Sequence, residues 1–244
     1  MTILTATGLS KRYGALAVTD DVSLALDAGE ALGIIGPNGV GKTTLFNLIA
    51  GTVRPDAGAV RFDGRDITGM PARRRCHLGI ARSFQIPHPF SGMTTYENVL
   101  VGAVFGRRAS ERDSEAHAVE VLELTGLAHK ANIYAGDLTL LERKRLEMAR
   151  ALASDPRLLL LDEIAGGLTE PECVELVATI KGVRARGVSI IWIEHVVHAL
   201  LAVVDRIMVI DFGRKIAEGR PRAVMESPEV AAIYMGIEGE AAHA

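Results

Sequence analysis

The chain has 244 residues, 48% of them hydrophobic, enough to bury a full core as one large domain or one domain carrying a subdomain. Its formal net charge of −3 excludes a general nucleic-acid binder, which would show a clear basic excess. The two cysteines, Cys76 and Cys173, lie far apart without metal-ligand spacing, which excludes a disulfide framework and suits a reducing compartment.

At the N-terminus, Met1-Thr2-Ile3-Leu4-Thr5 has neither the basic nor the apolar region of a secretory signal. The apolar runs Val22-Ser23-Leu24-Ala25-Leu26 and Ala31-Leu32-Gly33-Ile34-Ile35 predict strands, followed by a glycine-rich turn and a helix opening at Lys42. Gly51 and Pro55 stop that helix, and Gly58-Ala59-Val60-Arg61-Phe62-Asp63-Gly64 reads as a further strand and turn. Between 87 and 152 the pattern is mostly helical, with Val119, Leu122, Leu124 and Leu127 as apolar positions, and predicts a helical subdomain inserted into a sheet domain. The sheet resumes with Leu158-Leu159-Leu160-Leu161, Val188-Ser189-Ile190-Ile191-Trp192-Ile193 and Arg206-Ile207-Met208-Val209-Ile210, with a helix over 171–186 between the first two. Strands apolar throughout predict a parallel sheet buried on both faces. No apolar run approaches the about 20 residues that span a bilayer, because Asp205 and Arg206 interrupt even the segment from Val196 to Ile210. The chain is expected to remain in the cytoplasm, with 237–244 as a disordered tail.

Gly36-Pro37-Asn38-Gly39-Val40-Gly41-Lys42-Thr43-Thr44 meets the P-loop pattern between an apolar strand and a helix, the context that pattern requires. Glycines let backbone N–H groups close around phosphate oxygens, and the helix N-terminus adds favourable potential. Lys42 supplies a fixed positive charge, Thr43 a hydroxyl for Mg²⁺ and Thr44 a contact to another phosphate oxygen. Asp162 and Glu163 end a buried strand, where an open α/β sheet binds ligands. Asp162 is expected to hold Mg²⁺ through water, and Glu163 to orient or deprotonate the attacking water.

These motifs, with Tyr13, Gln85 and His195 in order around them, resemble the ATP-binding subunits of ABC transporters over nearly the whole chain. The resemblance implies an α/β P-loop NTPase core sheet with an N-terminal antiparallel β part and an inserted helical subdomain at 87–152, all within one domain over 1–236. It further implies that Tyr13 stacks on the adenine of ATP, that Gln85 contacts Mg²⁺ or the water and senses the membrane subunits, and that His195 reaches the γ-phosphate. Where the family usually has Leu-Ser-Gly-Gly-Gln, this chain has Leu138-Thr139-Leu140-Leu141-Glu142. Thr139 and Glu142 keep the capping box, so the helix start survives, whereas leucines at both glycine positions are expected to hold off the opposing γ-phosphate. Ile164 replaces the proline common after the glutamate, and Gly166-Gly167-Leu168-Thr169 lacks the aspartate often found there.

Within the family, Arg82-Ser83-Phe84-Gln85 to Glu97-Asn98-Val99-Leu100, Leu146-Glu147, and Ser227-Pro228-Glu229-Val230 to Tyr234-Met235-Gly236 are similar to branched-chain amino acid importers. That likeness implies an ATPase on the cytoplasmic face of the inner membrane. It would dimerise with a second ATPase subunit, non-identical or a copy of itself, join transmembrane permease subunits and serve a periplasmic substrate-binding protein. Branched-chain amino acids or related small amides are the implied cargo. Two other readings are an ABC ATPase outside transport and an ATP-binding regulatory subunit with weak hydrolysis. The runs Arg73-Arg74-Arg75 and Arg107-Arg108 are expected to solvate a face, and Leu141, Met148 and Leu152 to be core.

Overall fold

The computed structural model describes residues 1–233. In chain order these form β1 (Thr2–Tyr13), β2 (Leu16–Asp27), β3 (Ala31–Ile35), α1 (Lys42–Ala50), β4 (Ala57–Phe62), β5 (Arg65–Asp66), α2 (Ala72–Cys76), β6 (Ile80–Arg82), α3 (Thr95–Arg107), α4 (Glu111–Leu124), α5 (Leu140–Leu152), β7 (Leu158–Asp162), α6 (Glu170–Ala185), β8 (Ser189–Ile193), α7 (Val197–Leu201), β9 (Arg206–Asp211), β10 (Arg214–Gly219) and α8 (Pro221–Met225). The chain divides into two compact units, Met1–Met70 with the chain from Ile191 onward, and Pro71–Ile190. The predicted 87–152 insertion falls inside the second. The predicted tail, and the stretch Tyr234-Met235-Gly236, lie outside the described residues.

In the first unit β1 pairs antiparallel with β2 and β4, and β4 with β5. Val22, Leu24 and Leu26 of β2 are buried while Asp21, Ala25 and Asp27 are exposed, the period of two that one solvated face imposes. β3 is different: all five residues are buried, and it pairs in parallel with β9, Leu32 facing Arg206 and Ile35 facing Val209. β10 closes on β9 in antiparallel fashion, so a parallel pair carries an antiparallel edge. The end of β8 lies on the other side of β3 and contributes Trp192, which is fully buried. Gly51 in the left-handed region ends α1, and its N–H donates to the Asn47 carbonyl, as a glycine C-cap does.

In the second unit β6 and β7 run parallel, with Ile80, Ala81 and Arg82 opposite Leu158, Leu159 and Leu160. The helices α3 to α6 pack on one another, and their starts are written in the sequence. Thr94 with Glu97 and Thr139 with Glu142 form reciprocal capping boxes, and Ser110 caps α4. Leu122 and Leu127 are buried and Leu124 half-buried as expected, but Val119 is exposed. The buried stripe of α4 is Ser114, Ala118, Val121 and Leu122, spaced by three or four, and Val119 lies one residue, about 100° of helix turn, off it. The expectation that 73–75 solvates a face also fails at one position: Arg73 and Arg74 are exposed, but Arg75 is fully buried, because the third residue of that run falls on the inner face of α2. Leu141, Met148 and Leu152 are buried as predicted.

Trp192 is the only tryptophan and carries one of the largest fully buried side chains. Trp192→Ala is expected to cost about 4 kcal/mol of unfolding free energy, and Trp192→Phe less than half of that. Urea unfolding followed by circular dichroism, since both variants lack tryptophan fluorescence, checks the order.

Candidate active site

In the first unit the wholly buried β3 delivers the chain into the glycine loop. A Cβ on Gly36 would stand 2.0 Å from the Ile210 carbonyl oxygen, and one on Gly41 2.0 Å from that of Val18. With φ of 150° and 102°, neither position admits any other residue without moving backbone. Lys42 is almost fully buried, and its Nζ turns back to donate to the carbonyls of Gly36 at 2.8 Å and Pro37 at 2.7 Å. The ammonium is thus held inside the curve of the loop. Asn38 and Gly39 are exposed and Val40 half-buried on its rim, with Thr43 exposed and Thr44 half-buried on the first turn of α1. The N-cap of α1 is Gly41, which has no side chain to satisfy the first-turn amides. Loop amides, helix terminus and lysine together make an anion cradle of the kind phosphate groups fill.

Tyr13, at the end of β1, is half exposed, and the Lys11 ammonium lies 5.7 Å from its ring centroid while pairing with Asp56 at 2.6 Å. His195 follows β8 with 54% of its side chain exposed and Nδ1 3.3 Å from a carboxylate oxygen of Glu194. Glu194 is buried and accepts the backbone N–H groups of His195 at 2.9 Å and Val196 at 3.2 Å. It shapes the turn that presents the imidazole. No signal in the sequence distinguishes Glu194 from an ordinary acidic residue at a strand end.

In the second unit the ends of β6 and β7 form a polar cluster. Ser83 is buried, its N–H donates to the Leu160 carbonyl at 2.9 Å and its hydroxyl accepts from the Asp162 N–H at 3.4 Å. Arg82 donates to Asp162 Oδ2 at 2.6 Å, with both side chains at least nine-tenths buried. The Arg82 guanidinium also lies 5.1 Å from the Phe84 ring centroid. One residue further on, Gln85 Nε2 donates to Glu163 Oε2. That bond needs the amide nitrogen toward the carboxylate and so turns the Gln85 carbonyl oxygen away as an acceptor. Glu163 has φ of 44°, a left-handed conformation uncommon for a residue with a side chain, and its carbonyl accepts from the buried Lys144 at 3.5 Å. Arg82 and Lys144 were missed by sequence reasoning, because only the parallel register and the packing of α5 bring them to the strand ends.

Residues 138–142, where the family usually has Leu-Ser-Gly-Gly-Gln, lie in the same unit. Thr139 caps α5, donating its N–H to Glu142 at 2.9 Å and accepting the Glu142 N–H at 3.4 Å; Lys130 pairs with the other Glu142 oxygen at 3.0 Å. Burial pushes the Glu142 carboxyl up, but the Thr139 donors and the Lys130 ammonium outweigh it, so its pKa lies below the usual carboxylate value. The two leucines differ. Leu141 is buried, whereas Leu140 is 45% exposed and reaches within 3.5 Å of the position a side chain on Gly167 would take. Only Leu140 projects from the helix start, so the expectation that both leucines would stand before an incoming phosphate is corrected to one.

The donor set suits Mg²⁺, which binds through one or two carboxylates plus phosphate oxygens and water rather than an all-protein cage. Asp162 Oδ1 is a buried acceptor that takes no hydrogen bond among the described residues. A cation or its bound water would satisfy that orphaned oxygen. Among the described residues no group of three or more His, Cys, Asp or Glu forms an alternative metal cluster.

The profile of the ABC transporter family matches residues 19–166. The chain is 36% identical to the high-affinity branched-chain amino acid transport ATP-binding protein BraF of Pseudomonas aeruginosa, over 96% of this chain and 98% of the relative. It is 35% identical to the lipopolysaccharide export system ATP-binding protein LptB of Haemophilus influenzae, over 97% and 98%. The crystal structure of an ATP-binding cassette of an ABC transporter in its ADP conformation superposes with a TM-score of 0.89, at 32% identity over 97% of this chain and 99% of that one. A nucleotide-free cassette gives 0.88 at 32% identity over 96% and 99%. The chain belongs to the ABC transporter family, with the α/β fold of its cassettes, and is an ATP-hydrolysing subunit of that family.

The Arg82 and Asp162 pair is buried, so removing one partner leaves a charge without compensation. Arg82→Ala is expected to cost about 3 kcal/mol, against less than about 1 kcal/mol for Arg214→Ala, whose ion pair with Asp20 is exposed. Parallel urea titrations of the two variants decide between them.

Proposed function

We propose that this chain hydrolyses Mg-ATP to drive import of branched-chain amino acids or related small amides. The observation that carries the chemistry is the end of β7, where a buried carboxylate with one unsatisfied oxygen is followed by a second carboxylate held by Gln85. Residues 36–44 hold the phosphates: Gly36, Pro37, Asn38, Gly39, Val40 and Gly41 through the backbone, Lys42 by charge and Thr44 by its hydroxyl. Thr43, Asp162 and the carbonyl oxygen of Gln85 are the residues that would hold Mg²⁺, which when bound neutralises charge on the phosphate oxygens. Tyr13 stacks on adenine. Glu163 takes the proton of, or orients, the attacking water, Gln85 holds that carboxylate in place, and His195 contacts the γ-phosphate.

Support for the cargo comes from the end-to-end likeness to BraF and from the importer-like segments around Gln85, Glu147 and Ser227. The relative LptB, similar over the same span, favours export as the second reading, and stimulation by cargo separates the two. No helix among the described residues is long and apolar enough to cross a membrane, consistent with a peripheral subunit beneath permeases on the cytoplasmic face. The chain pairs with a second ATPase. Leu140 at the mouth of α5 favours a non-identical one, whose own counterpart of residues 138–142 faces the glycine loop of this chain.

In the complex reconstituted with its permeases, Glu163→Gln is expected to lower ATP turnover by about 10²- to 10⁴-fold while ATP affinity stays within about two-fold, read by phosphate release and nucleotide titration. Undiminished turnover would show that another group serves as the base. Stimulation by leucine-like cargo with its binding protein supports import, and stimulation by lipopolysaccharide moves the assignment to export. Leu140→Gly is expected to raise turnover of the heteromeric complex, and an unchanged rate overturns the asymmetric pairing. Leu141→Gly should instead cost about 3 kcal/mol of stability, because it empties a core position.

A further inference from the structure

β3 and β9 run side by side in the same direction, so the glycine loop after β3 and the turn after β9 leave the sheet at the same edge. That turn is Asp211-Phe212-Gly213-Arg214. Asp211 faces Arg214, and the two central residues have φ of 44° and 76°, the pattern of a type I′ hairpin turn. Phe212 is 86% exposed and gives the turn little packing. Polar contacts hold it instead. The Gly213 carbonyl accepts the Asp20 N–H at 2.8 Å, and Arg214 donates through Nε at 2.8 Å and Nη2 at 2.6 Å to one carboxylate oxygen of Asp20. Residues 213 and 214 are both tied in this way to a single residue of β2. The Gly213 N–H, which takes no part in the closing bond of such a turn, donates to the Val40 carbonyl of the glycine loop at 3.1 Å.

That bond fixes more than one carbonyl. The Val40 C=O and the Gly41 N–H belong to one planar trans peptide and point in opposite directions. With the carbonyl taken by the turn, the Gly41 N–H faces away from the turn, and among the described residues it meets no acceptor. Little room is left for another arrangement. The Val18 carbonyl oxygen of β2 would stand 2.0 Å from a Cβ on Gly41 and 2.8 Å from one on Gly213. β2 is thus wedged against loop and turn alike, and a side chain at position 213 has to displace one of them.

We infer that Gly213 is a positioning residue for nucleotide binding: tied to Asp20 directly and through Arg214, it turns the Val40 carbonyl outward and aims the Gly41 N–H at the phosphates. The inference rests on the reading above in which the backbone of residues 36–41 holds phosphate oxygens. If the bond only closed the hairpin onto the sheet, its loss would lower stability and leave the affinity of the folded protein alone. Acting through Gly41, its loss weakens ATP binding in protein that remains folded, and raises KM more than it lowers kcat.

The test titrates the purified full chain with Mg-ATP and follows its urea unfolding alongside. Arg214→Ala is expected to raise the Kd about two- to five-fold with only a small shift in the urea midpoint, and Arg214→Lys to recover part of the affinity. Added to Asp20→Ala, Arg214→Ala should weaken binding no further. Gly213→Ala keeps the N–H but displaces it, and is expected to raise the Kd about ten-fold. In the reconstituted complex the same variant should raise KM more than it lowers kcat. Amide hydrogen exchange should show Gly41 protected by Mg-ATP in the wild-type chain and exposed in Gly213→Ala. The inference is overturned if Gly213→Ala or Arg214→Ala binds Mg-ATP with wild-type affinity, or if Mg-ATP protects Gly41 equally with and without the Gly213→Ala change. Should Gly213→Ala fail to fold, Arg214→Ala and Asp20→Ala undergo the same titration and exchange measurement, and wild-type affinity in both overturns it. If Mg-ATP leaves Gly41 unprotected in the wild-type chain and Lys42→Ala keeps wild-type affinity, the phosphate-binding reading of the loop fails and the aim given to Gly41 fails with it. Exchange at Gly213, faster in Arg214→Ala if the ion pair ties the turn to β2, would then test that tie separately.

Discussion

The parallel register of β6 on β7 is the constraint on which the polar cluster of the second unit depends. With Arg82 opposite Leu160, the chain beyond β6 places Ser83 where its N–H takes the Leu160 carbonyl and its hydroxyl takes the Asp162 N–H. Side chains alternate along a strand, so a slip of one residue would turn Arg82 away from Asp162 and carry Gln85 past Glu163. The strands themselves are short and apolar and have little in their side chains to resist such a slip. Resistance comes from the buried polar groups, which in any other register would be left without partners. The pairs that serve the site thereby also specify the pairing that creates them.

Much of the scaffold could be read from the chain because its signals are local. β3, β7, β8 and β9 are continuous apolar runs, and the run of each coincides with the strand to within a residue. The glycine loop declares itself by spacing, and Gly51 and Thr139 mark helix ends by chemistry that needs no tertiary partner. β1 was harder, since its pairing with β2 shifts register several times between Thr2 and Arg12 and so blurs the alternation. Val119 and Arg75 misled for a related reason: which residue of a short run faces inward depends on the rotation of the helix, and composition carries no information about that.

The site divides along the same line. Lys42, Asp162 and Glu163 stand in motifs, but Arg82, Lys144 and Glu194, whose side chains hold the strand ends in place, and Glu147 receive no role from any motif and look like ordinary surface charges in the sequence. Lys144, Glu147 and Glu194 are buried, and Arg82 is almost so. Charged residues are seldom buried without partners, so the partners identify them, and partners are a property of the fold.

The backbone at Glu163 adds one further consequence. A side chain held at φ of 44° costs something on the order of 1 kcal/mol that glycine would not incur. At this position foldability and the proposed catalysis therefore pull in opposite directions: a population selected for thermal robustness alone would drift toward Glu163→Gly and lose the proposed base on the way. A directed-evolution campaign that scores only heat resistance would discard the carboxylate first, and lost turnover in its products would point to the role proposed for Glu163.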